Sequence, residues 1–192
     1  MKIKIENCDI AQENVTKLLG VVINKNLTWM DHINAISNKI RKNIGVICKL
    51  SKSLPVDVLH TLYNTLISPY LQDCNEAWAT NKTTFLEKLF RIQKKAIRDI
   101  TRSIWNTHSE TLFKETGIMK LVDLSTFQVA CFVYQEINKK LPTVFNNYFF
   151  KNADIHRHNT KHCLNIHQIR CKTNIRASCI KIFGAKVWNS IP

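Results

Sequence analysis

The spacing of isoleucines after residue 28 constrains the fold more than any other feature of this 192-residue sequence. Apolar side chains recur there at steps of three or four positions: Trp29, Ile33, Ile36, Ile40, Ile44 and Ile47. Such a period places them on one face of an α-helix, and that face has to be buried against other elements. We therefore expect a long helix that is capped by Thr28, begins at Trp29 and ends before Pro55.

A second long helix is predicted after Thr83 or Thr84, and it separates its charges from its apolar residues. At about 100° per residue, one arc holds apolar and amide side chains: Leu86, Leu89, Phe90, Gln93, Ala96, Ile97 and Ile100. The opposite arc, about 120° wide by the same count, holds six cations: Lys88, Arg91, Lys94, Lys95, Arg98 and Arg102. A helix of this kind can pack on a core and present its cations to phosphates.

The remaining segments predict a mainly α chain with a small β-hairpin at its start. Residues 2–24 alternate and then run apolar, which is typical of paired strands. Further helices are expected from Pro55 to Pro69, between a Ser109 cap and Gly117, and over the run that ends before Pro142. Past Pro142 the periodicity fades into an irregular basic tail, and residues 152–178 have no clear period, so we expect loops or partial disorder there.

The net charge of +14 favours a polyanion or an anionic membrane as partner. Residues 137–192 hold ten Lys and Arg against one acid, Asp154. A membrane is the weaker alternative, because the apolar helix faces are needed for a protein core. Cations that only maintain solubility are the other alternative, but such surfaces usually intersperse acids. The nucleic-acid-binding residues expected from the two helices are Lys39, Lys42, Lys49, Arg91, Lys94, Lys95, Arg98 and Arg102.

Catalytic and metal sites are not predicted in this chain. There is no glycine-rich phosphate loop, nucleophile elbow or HExxH motif, and the nearest acids, Asp73 and Glu76, form a pair that is common on helix surfaces. Zinc remains an alternative for a set of tail residues, although their spacing matches no compact zinc motif. That set is His156, His158, His162, Cys163, His167 and Cys171.

Tryptophans and cysteines give two further expectations. Trp29, Trp78 and Trp188 lie among apolar residues and should pack in the core, since stacking on bases requires an exposed ring. Seven cysteines without paired spacing, and no apolar leader at the N-terminus, predict free thiols and an intracellular protein of the cytoplasm and nucleus.

Five stretches together resemble the reverse transcriptases of non-LTR retrotransposons of the jockey-like type. They are "KLLGVVINKNLTWMDHI", "LYNTLISPYLQDCNEAW", "LEKLFRIQKKAIRDITRS", "HRHNTKHCLNI" and "FGAKVWNSIP", in the family's order. Asn24 stands where the family usually has Asp, Leu18 replaces an aromatic residue, Gln72 replaces Tyr and Lys161 replaces Arg.

The resemblance implies a C-terminal piece of the polymerase. Residues 2–24 would correspond to the primer-grip hairpin at the end of the palm, 28–104 to a helical thumb-like domain and 105–192 to the post-thumb region with its basic tail. The paired-Asp motif that holds Mg²⁺ in the intact polymerase would precede Met1, so this chain would need no cofactor and would not be an enzyme by itself.

The resemblance also implies RNA or an RNA–DNA duplex as the partner, with no membrane and an unknown oligomeric state. The alternative is an inert or protein-interaction remnant of a decayed element, which the sequence departures and the truncated ends would fit.

Overall fold

The fold is mainly α, as predicted, in a computed structural model that describes residues 4–5, 8–9, 11–80, 84–156 and 161–191. The helices are α1 Met30–Leu50, α2 Val56–Leu66, α3 Ser68–Gln72, α4 Asn75–Trp78, α5 Thr84–Thr101, α6 Ser109–Thr116, α7 Leu121–Ile137, α8 Asn152–Ile155, α9 Asn174–Ala177 and α10 Ile180–Ser190, with a 3-10 turn at Thr143–Phe145. The expected helix boundaries hold to within a few residues for the long helices α1 and α5.

The N-terminal β-structure consists of two separate antiparallel pairs. They are β1 Lys4–Ile5 with β2 Cys8–Asp9, and β3 Val15–Leu18 with β4 Val21–Asn24. The second pair confirms a hairpin, but the apolar run that was expected to act as one strand turns back on itself. Leu19 and Gly20 both adopt positive φ, 46° and 92°, which matches the primed turns that suit a twisted hairpin. Residues 2, 3, 6, 7 and 10 of the predicted β-region lie outside the described residues.

The start of α1 differs from the prediction of a Thr28 cap. Trp29 occupies the N-cap position with φ 60°, and no side chain caps the helix. The Thr28 hydroxyl instead accepts a hydrogen bond from the side-chain amide of Asn24, which also donates to the Asp31 carboxylate at 3.0 Å. Because an aspartate could not donate to Asp31, the asparagine at this position suits the local loop.

Helices α1 through α7 share a single large hydrophobic core. The buried faces of α1 and α5 pack against each other, with Ile40 and Ile97 fully buried. The two helices run in the same direction. Trp78, shortly before α5, contacts the ring of His32 near the start of α1, whereas Arg102 after α5 donates to the carbonyl of Leu54 after α1.

Gln93 is the polar centre of this core. It is 1% exposed, and its amide donates to the Tyr63 hydroxyl and to the carbonyl of Met119, each at 2.9 Å. Its carbonyl oxygen accepts from the Leu121 backbone N–H at 2.9 Å. Burial raises the pKa of Tyr63 to about 12, and the hydrogen bond from Gln93 opposes part of that rise. One side chain therefore joins α5, α2 and the start of α7.

His32 fastens the β3–β4 hairpin to α1. Its Nδ1 accepts a hydrogen bond from the backbone N–H of Val22 at 3.3 Å, and its ring meets Trp78 edge to face. Burial lowers the pKa of His32, and nearby Asp73 opposes the shift. The lowered pKa favours the neutral imidazole, whose unprotonated Nδ1 can accept the hydrogen bond from the Val22 N–H.

The C-terminal region contains more helix than the sequence predicted. Helix α10 packs on α7, and Val133, Ile166 and Ala185 form a second buried cluster with Phe149 and Trp188 around it. Helix α10 follows residues 152–178, the stretch for which loops or partial disorder were expected and where the described residues contain only the short helices α8 and α9. A side chain in place of Gly184 would put its Cβ 3.0 Å from both Phe149 and Val133. A residue larger than glycine at this position would therefore have to displace these two side chains slightly.

Asn189 ties this second cluster together, and its replacement by alanine is expected to destabilise it. The side chain accepts from the Ile166 backbone N–H at 2.9 Å and donates to the Ile166 carbonyl at 2.8 Å. Since Ile166 is buried, Asn189→Ala leaves both groups without these partners and should lower the unfolding free energy by about 2 kcal/mol. Urea denaturation measures the change. Gln168→Ala, at an exposed neighbouring position, is the control, and equal stability of the two variants would contradict this assignment.

Among the described helices, none is by itself long and apolar enough to cross a membrane. Helices α6 and α7 reach the required length and composition only as a pair bent by 48°. Leu112, Phe113, Leu121 and Leu124 of this pair are buried in the protein core.

Candidate nucleic-acid interface

The outward faces of α1 and α5 lie opposite the buried faces that these two helices contribute to one core. At about 100° per residue, Lys42 and Lys49 lie roughly 160 to 180° from the centre of the buried stripe of α1. By the same count, Arg91 and Lys95 lie roughly 130 to 170° from the centre of the stripe of α5. All four side chains are exposed. We call these four residues the outer basic face.

Two of the other predicted lysines lie over aromatic rings at the flanks of the helices. The Nζ atom of Lys39 is 5.2 Å from the centroid of the Tyr70 ring in α3, and that of Lys94 is 4.4 Å from the centroid of Phe90. Lys39 stays exposed, whereas Lys94 is half-buried. Cation–π contacts of this kind are weak at exposed positions, so both ammonium groups can still reach a ligand.

The two remaining predicted arginines contact backbone carbonyls. Arg98 donates through Nε and Nη2 to the carbonyl of Thr107, at 3.3 and 3.2 Å. Arg102 lies just beyond the end of α5, where its φ is 54°, and donates to the carbonyl of Leu54. Arg102 therefore does not continue the cationic arc that the sequence predicted for α5, because this helix ends at Thr101. Arg98 and Arg102 hold neighbouring segments in addition to carrying charge.

Carboxylates do not neutralise this set within the part of the chain that the structure describes. None of the eight predicted cations forms an ion pair with a described carboxylate; Lys120 pairs with Glu110 elsewhere. Asp99 is the acid that interacts with Lys95. Burial raises the pKa of Asp99, and Lys95 opposes that rise without reversing it. The positive charge of the outer basic face is therefore not neutralised by an ion pair with any described carboxylate.

Two further cations extend the outer basic face, although they were left out of the predicted set. Arg41 of α1 and Lys88 of α5 are both exposed. Lys88 was in the predicted cationic arc of α5. The sequence also places Arg41 off the isoleucine face of α1, beside Lys42.

The histidine- and cysteine-rich tail does not gather into a metal site among the described residues. No group of three or more His, Cys, Asp or Glu side chains in these ranges could hold a metal ion. The rings of His156 and His167 lie 5.9 Å apart, and His167 interacts with Asn152 at 3.1 Å. His158 lies outside the described residues.

The tryptophans expected in the core do pack there. Trp78 is fully buried and donates from its ring N–H to the carbonyl of Asp73 at 2.9 Å. Trp29 packs on the main core, and Trp188 packs on the second cluster. The Trp78 ring is therefore withdrawn from any ligand, whereas Trp29 and Trp188 are only partly buried.

Comparison with known proteins gives one informative similarity. The chain is similar to the "Probable RNA-directed DNA polymerase from transposon X-element" of Drosophila melanogaster, with 25% identity over 123 residues. The matched region is 62% of this chain, and it spans 13% of that polymerase. No family model matches the sequence, and no solved structure matches it. The similarity supports kinship with the RNA-directed DNA polymerases of retrotransposons, the relationship that the sequence motifs indicated.

Proposed function

We propose that this chain is the thumb and post-thumb part of a jockey-like reverse transcriptase, and that it binds RNA or an RNA–DNA duplex through the outer basic face. In this proposal the chain supplies nucleic-acid binding and does not catalyse polymerisation. The observation that carries it is that Lys42, Lys49, Arg91 and Lys95 are exposed on two neighbouring helices and form no ion pair with a described carboxylate. The similarity to a transposon RNA-directed DNA polymerase also supports a reverse-transcriptase origin for the chain.

The geometry favours recognition of the sugar–phosphate backbone. Long flexible lysines and arginines on a convex helix surface suit phosphates, because phosphate contacts position a protein without reading sequence. Binding should therefore respond to duplex shape more than to base sequence.

Gly45 gives independent support for close approach of a ligand to α1. It lies in mid-helix between Lys42 and Lys49, is exposed, and a Cβ added to it would meet no heavy atom within 4 Å. A glycine in a helix interior costs about 1 kcal/mol relative to alanine. Nothing in the protein itself requires a residue without a side chain at this position. A nucleic-acid backbone could approach the helix more closely because no side chain is there.

Salt dependence of binding tests the proposal. If about six phosphates are neutralised, the logarithm of the association constant should fall with the logarithm of salt concentration at a slope near −5, because each contact contributes about 0.9. Filter binding of an RNA–DNA duplex across a range of salt concentrations measures the slope. An affinity that does not change between low and moderate salt would refute this function and favour an inert remnant.

A primer-extension assay tests the second part of the proposal. The chain is expected to give no Mg²⁺-dependent extension of an annealed primer while still binding the duplex. Product formation by the purified chain would overturn the assignment to a binding part alone.

A further inference from the structure

An exposed tryptophan lies at the end of the basic helix α5. Trp105 is 83% exposed and its neighbour Ile104 is 70% exposed, although the other three tryptophans pack in the two cores. Leaving an indole in water forgoes the burial of a side chain that can cover 150 to 250 Å². These two adjacent, large apolar side chains form a contiguous exposed patch, the kind of surface at which a ligand can bind.

The turn that carries Trp105 is held against the basic helix. The Thr107 N–H donates to the carbonyl of Ile104 at 3.0 Å, which closes a turn with Trp105 inside it. Arg98 then binds the Thr107 carbonyl with two N–H groups. The indole is thus presented on an ordered turn that is attached to the helix carrying Arg91 and Lys95.

The surroundings of this turn are cationic. Arg102 precedes it and is joined to Leu54, beyond the end of α1, where Lys52 is exposed. Between Asp99 and Glu110 the sequence contains no acid. Phosphates that follow the outer basic face would therefore continue toward Trp105 without meeting a repulsive carboxylate on this loop.

We propose that Trp105 is a stacking platform for an unpaired base at the end of a duplex held on the outer basic face. Indole is a sequence-tolerant partner for any base, and combining aromatic platforms with backbone-tracking cations is how proteins bind single strands. The inference rests on the proposed function and adds a specific ligand feature, a junction between duplex and single strand.

The test compares two RNA–DNA duplexes, one blunt and one with a short single-stranded overhang, for the full chain and two variants. Trp105→Ala should weaken binding to the overhang duplex by about tenfold and to the blunt duplex by less than about twofold. Trp105→Phe should retain most of the affinity, since phenylalanine also stacks. The salt slope should stay the same in both variants, because neither removes a cation.

A second measurement reports stacking directly. The overhang duplex should quench tryptophan fluorescence of the wild-type chain more strongly than the blunt duplex does, and Trp105→Phe should abolish this difference. Phe127→Ala is the matched control, because Phe127 is an exposed aromatic residue on α7 that lies outside the basic helices. It should leave both affinities unchanged.

The possible outcomes separate the two proposals. If the wild-type chain binds both duplexes and Trp105→Ala binds them equally well, the stacking role is wrong and the proposed function stands. If the wild-type chain binds neither duplex, both proposals fail. If Trp105→Ala instead abolishes binding to phosphatidylserine vesicles without affecting either duplex, the ring serves a membrane surface and the stacking role is overturned.

Discussion

Replacing Gln93 with methionine is expected to lower the unfolding free energy of the chain by about 3 kcal/mol, although the two side chains have similar length. Three buried hydrogen bonds disappear together: those to the Tyr63 hydroxyl, the Met119 carbonyl and the Leu121 N–H. Each buried group left without a partner costs about 1 to 3 kcal/mol. Some of that cost is recovered because methionine is more apolar and adapts its shape to the core.

Urea denaturation followed by circular dichroism measures this effect, and Tyr63→Phe is the matched control. That variant removes one hydroxyl and leaves the bonds from Gln93 to Met119 and Leu121 in place, so it should cost only about 1 kcal/mol. The effects of the two replacements should also be non-additive, since they share one hydrogen bond. A Gln93→Met protein as stable as the wild type would show that this buried network does not organise the core.

Gln93 also illustrates what the sequence can and cannot reveal about this fold. Its position within the apolar arc of the predicted helix was correct, and so was the burial of Leu89, Ala96, Ile97 and Ile100. Its hydrogen-bond partners could not be foreseen, because they come from segments 26 to 30 residues away. Periodicity identifies which face of a helix is buried and does not identify what covers it.

The ends of the chain were harder to predict than the middle. The β3–β4 hairpin depends on positive φ at Leu19 as well as Gly20, and leucine rarely adopts that conformation. Helix α10 lies beyond the stretch whose lack of a clear period predicted loops, and Gly184 within it fits tightly against Phe149 and Val133. Local sequence preference indicates neither the turn at Leu19 nor the partners of α10.

For the candidate interface, the sequence predicted exposure better than it predicted side-chain contacts. Lys42, Lys49, Arg91 and Lys95 are exposed as a face opposite the core should be. The contacts of Lys39, Arg98 and Arg102 depend on how α3 and the segments after α1 and α5 pack around the two helices, whereas Lys94 contacts Phe90 within α5 itself. Binding of nucleic acid by these eight residues stays a prediction.

Reversing one charge on each helix of the outer basic face should weaken nucleic-acid binding strongly. Each phosphate contact releases about 0.9 counterions, so one contact makes the association constant roughly eightfold higher at 0.1 M salt than at 1 M salt. Lys42→Glu combined with Arg91→Glu should therefore reduce affinity for an RNA–DNA duplex by about sixtyfold or more at 0.1 M salt, and reduce the steepness of the salt slope by about two. Both side chains are exposed, so the fold should be retained.

The control carries the same change in net charge at a different place. Lys172→Glu combined with Lys186→Glu alters two exposed lysines of the C-terminal region, outside α1 and α5. If binding depends on the arrangement of cations on the two parallel helices, this variant should lose only a small part of its affinity, and its salt slope should stay near that of the wild type. Equal losses in the two variants would mean that the net charge of +14 attracts the polyanion without a defined interface. The two double variants therefore separate the effect of where the cations lie from the effect of how many there are.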